Sequence, residues 1–246
     1  MSKFFTNVYS ITNLYKKMST KSEIVTQTIY GDSFSITKKT NKWLKIKIKE
    51  DNYNGYIQNK KFDIFIKPTH KVHVLKTKIY KFPNKKKKID ELSFGSKIRA
   101  EGRKSQFIKL RKGWIDQKDL KPIGYKERNI FNKIGLFKNI KYKWGGKSFK
   151  GIDCSALIQV CINFNNKNCP RDAKDQIKYF KKNISLKNIK KNDILYWKGH
   201  VAVAISGKRL IHAYGPMKKT LFMGINQTIK KIYNTANLKV TAVKRL

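Results

Sequence analysis

Tyr142-Lys-Trp-Gly-Gly146, Gly151-Ile-Asp-Cys-Ser-Ala156 and the run Leu157-Ile-Gln-Val-Cys-Ile-Asn-Phe164 form the stretch on which the reading of this chain turns. Gly, Ser and Asp gather where a helix should begin. Leu157, Ile158, Cys161 and Ile162 then recur at i, i+1, i+4 and i+5, the stripe of a helix with one apolar face. The spacing predicts a helix over 153–164 with Cys154 in its first turn. At that position the helix dipole and the unpaired N–H groups favour a thiolate. A thiolate is a nucleophile, and the N–H groups beside it can receive an oxyanion. The plain alternative is that Cys154 is a small buried residue.

Downstream, residues 172–180 read as a shorter helix, and upstream residues 126–136 place Ile130, Phe131, Ile134 and Leu136 near helical spacing. From Asp193 the pattern becomes strand-like: 194–197, 200–205 and 209–213, with 222–225 and 238–243 as two further candidates. Helices followed by an antiparallel sheet make an α+β domain. His200 opens one of these strands and His212 lies on the next. Adjacent antiparallel strands can set the two imidazoles side by side, one as base and one as its orienter. His200 as a surface polar residue is the alternative. A metal site built on Cys154, His200 and His212 has no Cys-x-x-Cys or His-x-x-x-His spacing behind it.

The first half reads as β. Residues 23–30, 33–37 and 43–49 are strand-like, with Ile46 and Ile48 opposite the lysines of the third, and a short strand begins at Tyr56. After Pro68 a similar layout returns with strands at 71–75, 97–100, 107–110 and 113–115. Gly55-Tyr-Ile57 and Gly113-Trp-Ile115 are paired endings of an internal repeat. Short strands with frequent turn signals indicate small barrels. The chain therefore divides into barrels over 1–68 and 69–122 and an α+β domain over 123–246.

Composition bounds the function. The chain has 246 residues, 57 Lys+Arg against 15 Asp+Glu, a formal charge of +42 and 40% hydrophobic residues. That is too apolar for a disordered basic tail, and no run is long enough to cross a membrane as a helix. Three cysteines exclude a disulfide-dense scaffold. The N-terminal stretch lacks an apolar signal core, so a soluble, cytoplasmic protein is expected. A charge of +42 suggests a polyanion partner. Only seven of the 57 cations are arginine, however, and arginine suits bidentate phosphate contacts. The lysines also travel with Asn, Ile, Tyr and Phe, all served by AT-rich codons. A solvated surface shaped by codon bias is the preferred reading over nucleic-acid binding.

Five motifs then occur in order: Tyr142-x-Trp-Gly-Gly146, Gly151-Ile-Asp-Cys-Ser155, Pro170-Arg-Asp172 with Gln176, Asn192-Asp-x-x-Tyr-Trp-Lys-Gly-His200 and Ile211-His-Ala213. Together they resemble the NlpC/p60 family of cysteine peptidases, and the N-terminal barrels resemble the bacterial SH3-like domains that precede that domain in one branch. The resemblance implies a papain-like α+β catalytic domain behind two small all-β SH3-like barrels. It implies hydrolysis of the γ-D-glutamyl bond to a diamino acid in murein peptides with a free N-terminal L-Ala, without metal or organic cofactor. It makes Cys154 the nucleophile, His200 the base and His212 the third polar residue. Tyr142 joins the Cys154 N–H in the oxyanion hole, Asp153 and Ser155 hydrogen-bond the substrate, and Asp172 holds its terminal ammonium. For Asp172 a helix N-cap is the alternative. Glu23 and Tyr56 of the first barrel are candidates for closing the substrate's N-terminal end, against ordinary strand and turn chemistry. Two positions depart from the family pattern: Ala156 stands where Gly is usual, and Ala173 where Ser follows Arg-Asp. An anionic murein peptide is the expected partner, with no specific nucleic acid and no membrane insertion. The competing functions are hydrolysis of intact peptidoglycan with the barrels as wall-binding modules, and a non-enzymatic basic nucleic-acid-binding protein.

Overall fold

A computed structural model describes residues 3–246. The first seven strands form one antiparallel sheet in the order Ile24–Ile29, Ile11–Tyr15, Asn54–Gln58, Trp43–Ile48, Ser33–Lys39, Phe4–Thr6, Asp63–Ile64. Strand alternation decides its inner face. Leu44, Ile46 and Ile48 turn inward to meet Leu14, Phe34 and Ile57, while Lys47 stays in solvent.

The next eight strands, from His70 to Pro122, make a five-stranded and a three-stranded sheet. They close over Val72, Ile79, Leu92, Ile98, Ile108, Leu110, Ile115 and Leu120. The strand expected over 71–75 is only His70–Val72, a further, unanticipated strand follows at Lys76–Tyr80, and the lysine run ends by entering a strand over Lys88–Ser93.

The last part is an antiparallel six-stranded sheet between helices: α1 (Cys154–Phe164) with the short α2 (Ala173–Tyr179) on one side, and α3 (Ile225–Ala236) on the other. The two-residue period sorts the side chains. Ile194, Tyr196, Val201, Val203, Ile211 and Ala213 pack with α1; Leu195, Trp197, Ala202, Ala204 and Leu210 pack with α3. This double-sided burial makes 194–197 and 200–204 almost continuously apolar.

Three expectations fail here, the strand expected over 238–243 being confined to Ala242–Arg245. Residues 126–136 form turns with only a 3-10 segment over Ile134–Phe137. The Asn129 side chain accepts from the Phe131 N–H, a local bond that competes with helix formation. The strand expected over 222–225 is Lys219–Gly224, and Ile225 instead opens α3. Among the described residues no helix is long and apolar enough to cross a membrane.

The first β unit is docked tightly on the α+β part. Gly145 has φ +69°, and a Cβ on it would lie 2.2 Å from the Ile24 carbonyl oxygen. The Gly-Gly of the Trp144-Gly-Gly146 motif is thus required by the approach of one backbone to another. Gln27 Oε1 accepts the Lys147 N–H, and the Lys147 ammonium pairs with Asp32 at 3.2 Å, both side chains buried.

Candidate active site

Asp153 caps α1: its Oδ1 accepts the Ala156 N–H at 2.8 Å, which fixes where the helix starts. Cys154 is therefore the first residue of the helix, 6% exposed, beside a cleft of about 780 Å³. Val201 and Ser155 N–H groups point at its sulfur, but burial, followed by the nearby Asp153 charge, pushes the thiol up to about 12. The expectation of a helix-stabilised thiolate is corrected here. Desolvation outweighs the dipole, and the resting group is a thiol.

His200 is delivered to the start of its strand by a two-residue hairpin. Trp197 pairs with His200, and Gly199 takes φ +76° between them. Val203 pairs with Ile211, so His212 lies one diagonal step from His200 on the same sheet face. The result is a 2.9 Å contact between His200 Nε2 and His212 Nδ1. The His212 ring, fully buried, stacks on Tyr214 at 4.8 Å and 10°. Burial lowers His200 to about 4; burial and the His200 charge lower His212 to about 3. Among the described residues no hydrogen bond joins the Cys154 sulfur to either imidazole, and His200 Nδ1 is without a hydrogen-bond partner. In free enzymes such contacts are commonly loose and tighten on substrate.

These neutral imidazoles set a pH dependence of stability. The unfolded chain takes up protons on both histidines near 6.5, whereas the native state resists until about 4. Stability therefore falls as pH falls through 6.5 toward 4, by about 1 kcal/mol per pH unit per histidine. Urea unfolding at pH 7 and pH 5 measures it, and His200→Asn should flatten the slope.

The Tyr142 phenol is half-buried beside Cys154, and burial raises its pKa, so it stays a neutral donor. Asp153 and Ser155 line the cleft, but their side chains are already engaged. Arg171 reaches Asp153 through both terminal guanidinium nitrogens, at 3.0 and 2.5 Å, and donates to Ser155 Oγ at 2.9 Å. Ser155 Oγ in turn donates to Asp153, and the Gly145 N–H donates to its other oxygen. In this structure their side chains hold the turn that presents Cys154. Arg171 Nε also donates to Thr26 Oγ1, tying that turn to the first β unit.

Asp172 occupies the N-cap position of α2 but makes no capping hydrogen bond. Its carboxylate accepts instead from the Tyr53 hydroxyl at 3.2 Å, across the domain boundary. Burial, only partly offset by Arg171, raises its pKa. Glu23 also lines the cleft, accepting from Trp144 Nε1 at 2.9 Å and pairing with the Lys16 ammonium at 3.1 Å. Tyr56 is not at the site: it pairs with Tyr15 in the sheet and carries the Lys45 ammonium over its ring. The cleft tyrosine of the first β unit is Tyr53, three residues earlier, just before that strand, an assignment strand alternation alone could not make. Trp144 is 60% exposed at the cleft mouth. Among the described residues no cluster of three or more His, Cys, Asp or Glu side chains could hold a metal ion.

Comparison with known proteins agrees with this arrangement. The NlpC/P60 family matches residues 139–239, and the bacterial dipeptidyl-peptidase Sh3 domain matches residues 14–62. The chain is 24% identical to the γ-D-glutamyl-L-lysine dipeptidyl-peptidase of Bacillus subtilis over 237 residues, covering 86% of this chain and 79% of that one. It is 23% identical to the protein of the same name from Bacillus cereus, covering 80% and 69%. In fold it is similar to the crystal structure of an NlpC/P60 family protein from Bacillus cereus, with a TM-score of 0.80 at 16% identity, covering 98% of this chain and 99% of that one. The capped cysteine helix, the paired imidazoles and the β module at the cleft wall thus fall within matched segments: residues 139–239 form an NlpC/P60 domain, preceded at residues 14–62 by an SH3 domain of the bacterial dipeptidyl-peptidase type.

Proposed function

We propose that this protein is a cysteine peptidase that hydrolyses the γ-D-glutamyl–diamino acid bond of murein peptides carrying a free N-terminal L-Ala, in the recovery of cell-wall peptides. The observation that carries the reading is the Asp172–Tyr53 pair in the cleft that holds Cys154. A half-buried carboxylate with no helix-capping task and only a neutral phenol for a hydrogen-bond donor is suited to a substrate ammonium. Lys16, Lys174 and Lys198 line the same cleft and suit the peptide's carboxylates.

In the reaction the Cys154 thiol gives its proton to His200 Nδ1 as the sulfur attacks the γ-carbonyl carbon. The carbonyl oxygen becomes an oxyanion held by the Cys154 N–H and the Tyr142 hydroxyl. The C–N bond then breaks, His200 returns its proton to the leaving amine, and a thioester remains. Water adds to the thioester with His200 again accepting a proton. Collapse releases the dipeptide carboxylate and restores the thiol.

The test is incubation with L-Ala-γ-D-Glu-L-Lys and its meso-diaminopimelate counterpart, beside N-acetylated versions, followed by mass spectrometry. Release of L-Ala-D-Glu from the free-amine peptides alone is expected. Asp172→Asn should raise KM for the free-amine peptide about 10- to 100-fold, the scale of a lost partly buried ion pair. Equal cleavage of acetylated peptides, or of intact sacculi, would replace this reading with a wall hydrolase.

A further inference from the structure

Met223 stands behind the two imidazoles, and nothing in the reaction above uses it. It lies on the strand Lys219–Gly224, where Leu221 pairs with His212. Met223 is two residues on and so shares the His212 face. Its Sδ is 3.3 Å from His212 Nε2, while His212 Nδ1 is 2.9 Å from His200 Nε2. His212 is fully buried, which leaves the thioether as the partner of that ring nitrogen. We propose that Met223 is a positioning residue whose sulfur selects one tautomer of His212 and so keeps Nδ1 of His200 free to accept the Cys154 proton. The proposal rests on the cysteine-peptidase reading for its purpose but not for its geometry.

A neutral imidazole carries one proton on one of two nitrogens, so the pair has two arrangements in which the shared contact is a hydrogen bond. In the first, His200 Nε2–H donates to His212 Nδ1, and the His212 proton sits on Nε2, facing the sulfur. His200 Nδ1 is then bare and basic. In the second, His212 Nδ1–H donates to His200 Nε2, His212 Nε2 is bare, and the His200 proton occupies Nδ1. That second state cannot receive a proton from Cys154. A thioether has lone pairs and no proton to give, so it accepts from Nε2–H in the first arrangement and repels the bare Nε2 of the second. Sulfur is a weak acceptor, but a buried N–H with no acceptor is costly. The nearly parallel stacking on Tyr214 holds the ring in the plane where this choice operates. Unlike a carboxylate, Met223 cannot ionise. It orients the pair without adding charge to a site in which both imidazoles are neutral.

The experiment is 15N NMR of the full chain labelled at histidine, with Met223→Leu as the variant. In the wild type, Nε2 of both rings should show the shift of a protonated nitrogen and both Nδ1 that of a bare one. A protonated Nδ1 on His212 overturns the proposal. In the folded Met223→Leu protein, His212 should exchange between tautomers, and kcat for the L-Ala-γ-D-Glu-L-Lys peptide should fall about fivefold at unchanged KM, the scale of one lost hydrogen bond. The alkylation rate of Cys154 by iodoacetamide, followed by mass mapping, should fall with it. Wild-type nitrogen shifts and an undiminished alkylation rate in the variant would make Met223 a packing residue and nothing more. If the peptide is not cleaved but the shifts are as expected, the peptidase reading fails and the tautomer assignment stands.

Discussion

On the proposed reading, Cys154→Ala will lower kcat for the free-amine murein peptide by a factor of about 10⁴ or more, because no other group at the site can form the thioester. Folding should be nearly unaffected. The thiol is small and uncharged at neutral pH, held up to about 12 by burial, so its removal deletes no ion pair. The same neutrality makes a second, less obvious statement. With His200 lowered to about 4, the resting pair is thiol and imidazole rather than thiolate and imidazolium. The proton must move as the carbon–sulfur bond forms. The wild-type enzyme should therefore react with iodoacetamide at pH 7 more slowly than a free cysteine thiol. Residual cleavage by Cys154→Ala at more than about one part in 10³ would remove Cys154 as nucleophile. Rapid alkylation at neutral pH would contradict the neutral pair while leaving the nucleophile in place.

Arg171→Leu carries the largest expected effect on stability. The guanidinium and the Asp153 carboxylate are both buried, at 3% and 5% exposure, and meet through two hydrogen bonds. Removing the cation leaves a carboxylate in a low-dielectric site with only the Ser155 hydroxyl and two N–H groups as partners, at a cost of about 3–5 kcal/mol. For a chain of this length that is a fall in Tm of roughly 10 °C. Arg171→Lys should be intermediate, since an ammonium keeps the charge but cannot fork across both oxygens. The double variant Arg171→Leu/Asp153→Leu should recover part of the loss by removing the orphaned charge, but not the capping bond to Ala156. Differential scanning calorimetry on the set measures all of this. An unchanged Tm in the single variant would mean that the pair does not hold the cysteine turn.

Much of this molecule is legible from its residues, and what is hidden has physical reasons. The helix at Cys154 and the strands at 194–197, 200–204 and 209–214 are written in dense apolar patterns that local structure cannot evade. The helix α3 carried its own signal, Ile225, Ile229 and Ile232 at helical spacing, but a lysine- and asparagine-rich setting obscured it. Contacts between distant segments leave no local trace. Neither the Tyr53 hydroxyl on Asp172 nor the Thr26 hydroxyl on Arg171 is visible in either strand alone. One compositional clue does survive. In a chain with seven arginines, two of them, Arg171 and Arg245, fork onto the buried carboxylates of Asp153 and Asp193. Where lysine is the default cation, an arginine marks a place where planarity matters.

The backbone contact at Gly145 has a consequence for how substrates are chosen. With no room for even a methyl group between Gly145 and Ile24, and with Arg171 and Lys147 bolting the same seam, the wall that carries Tyr53 has no slack relative to the helix that carries Cys154. On the proposed reading the protein behaves as a caliper with fixed jaws. One jaw grips the peptide's amine end, the other cuts, and the gap between them sets the length of the fragment released. Exchanging the N-terminal module would then reset the gauge without touching the blade.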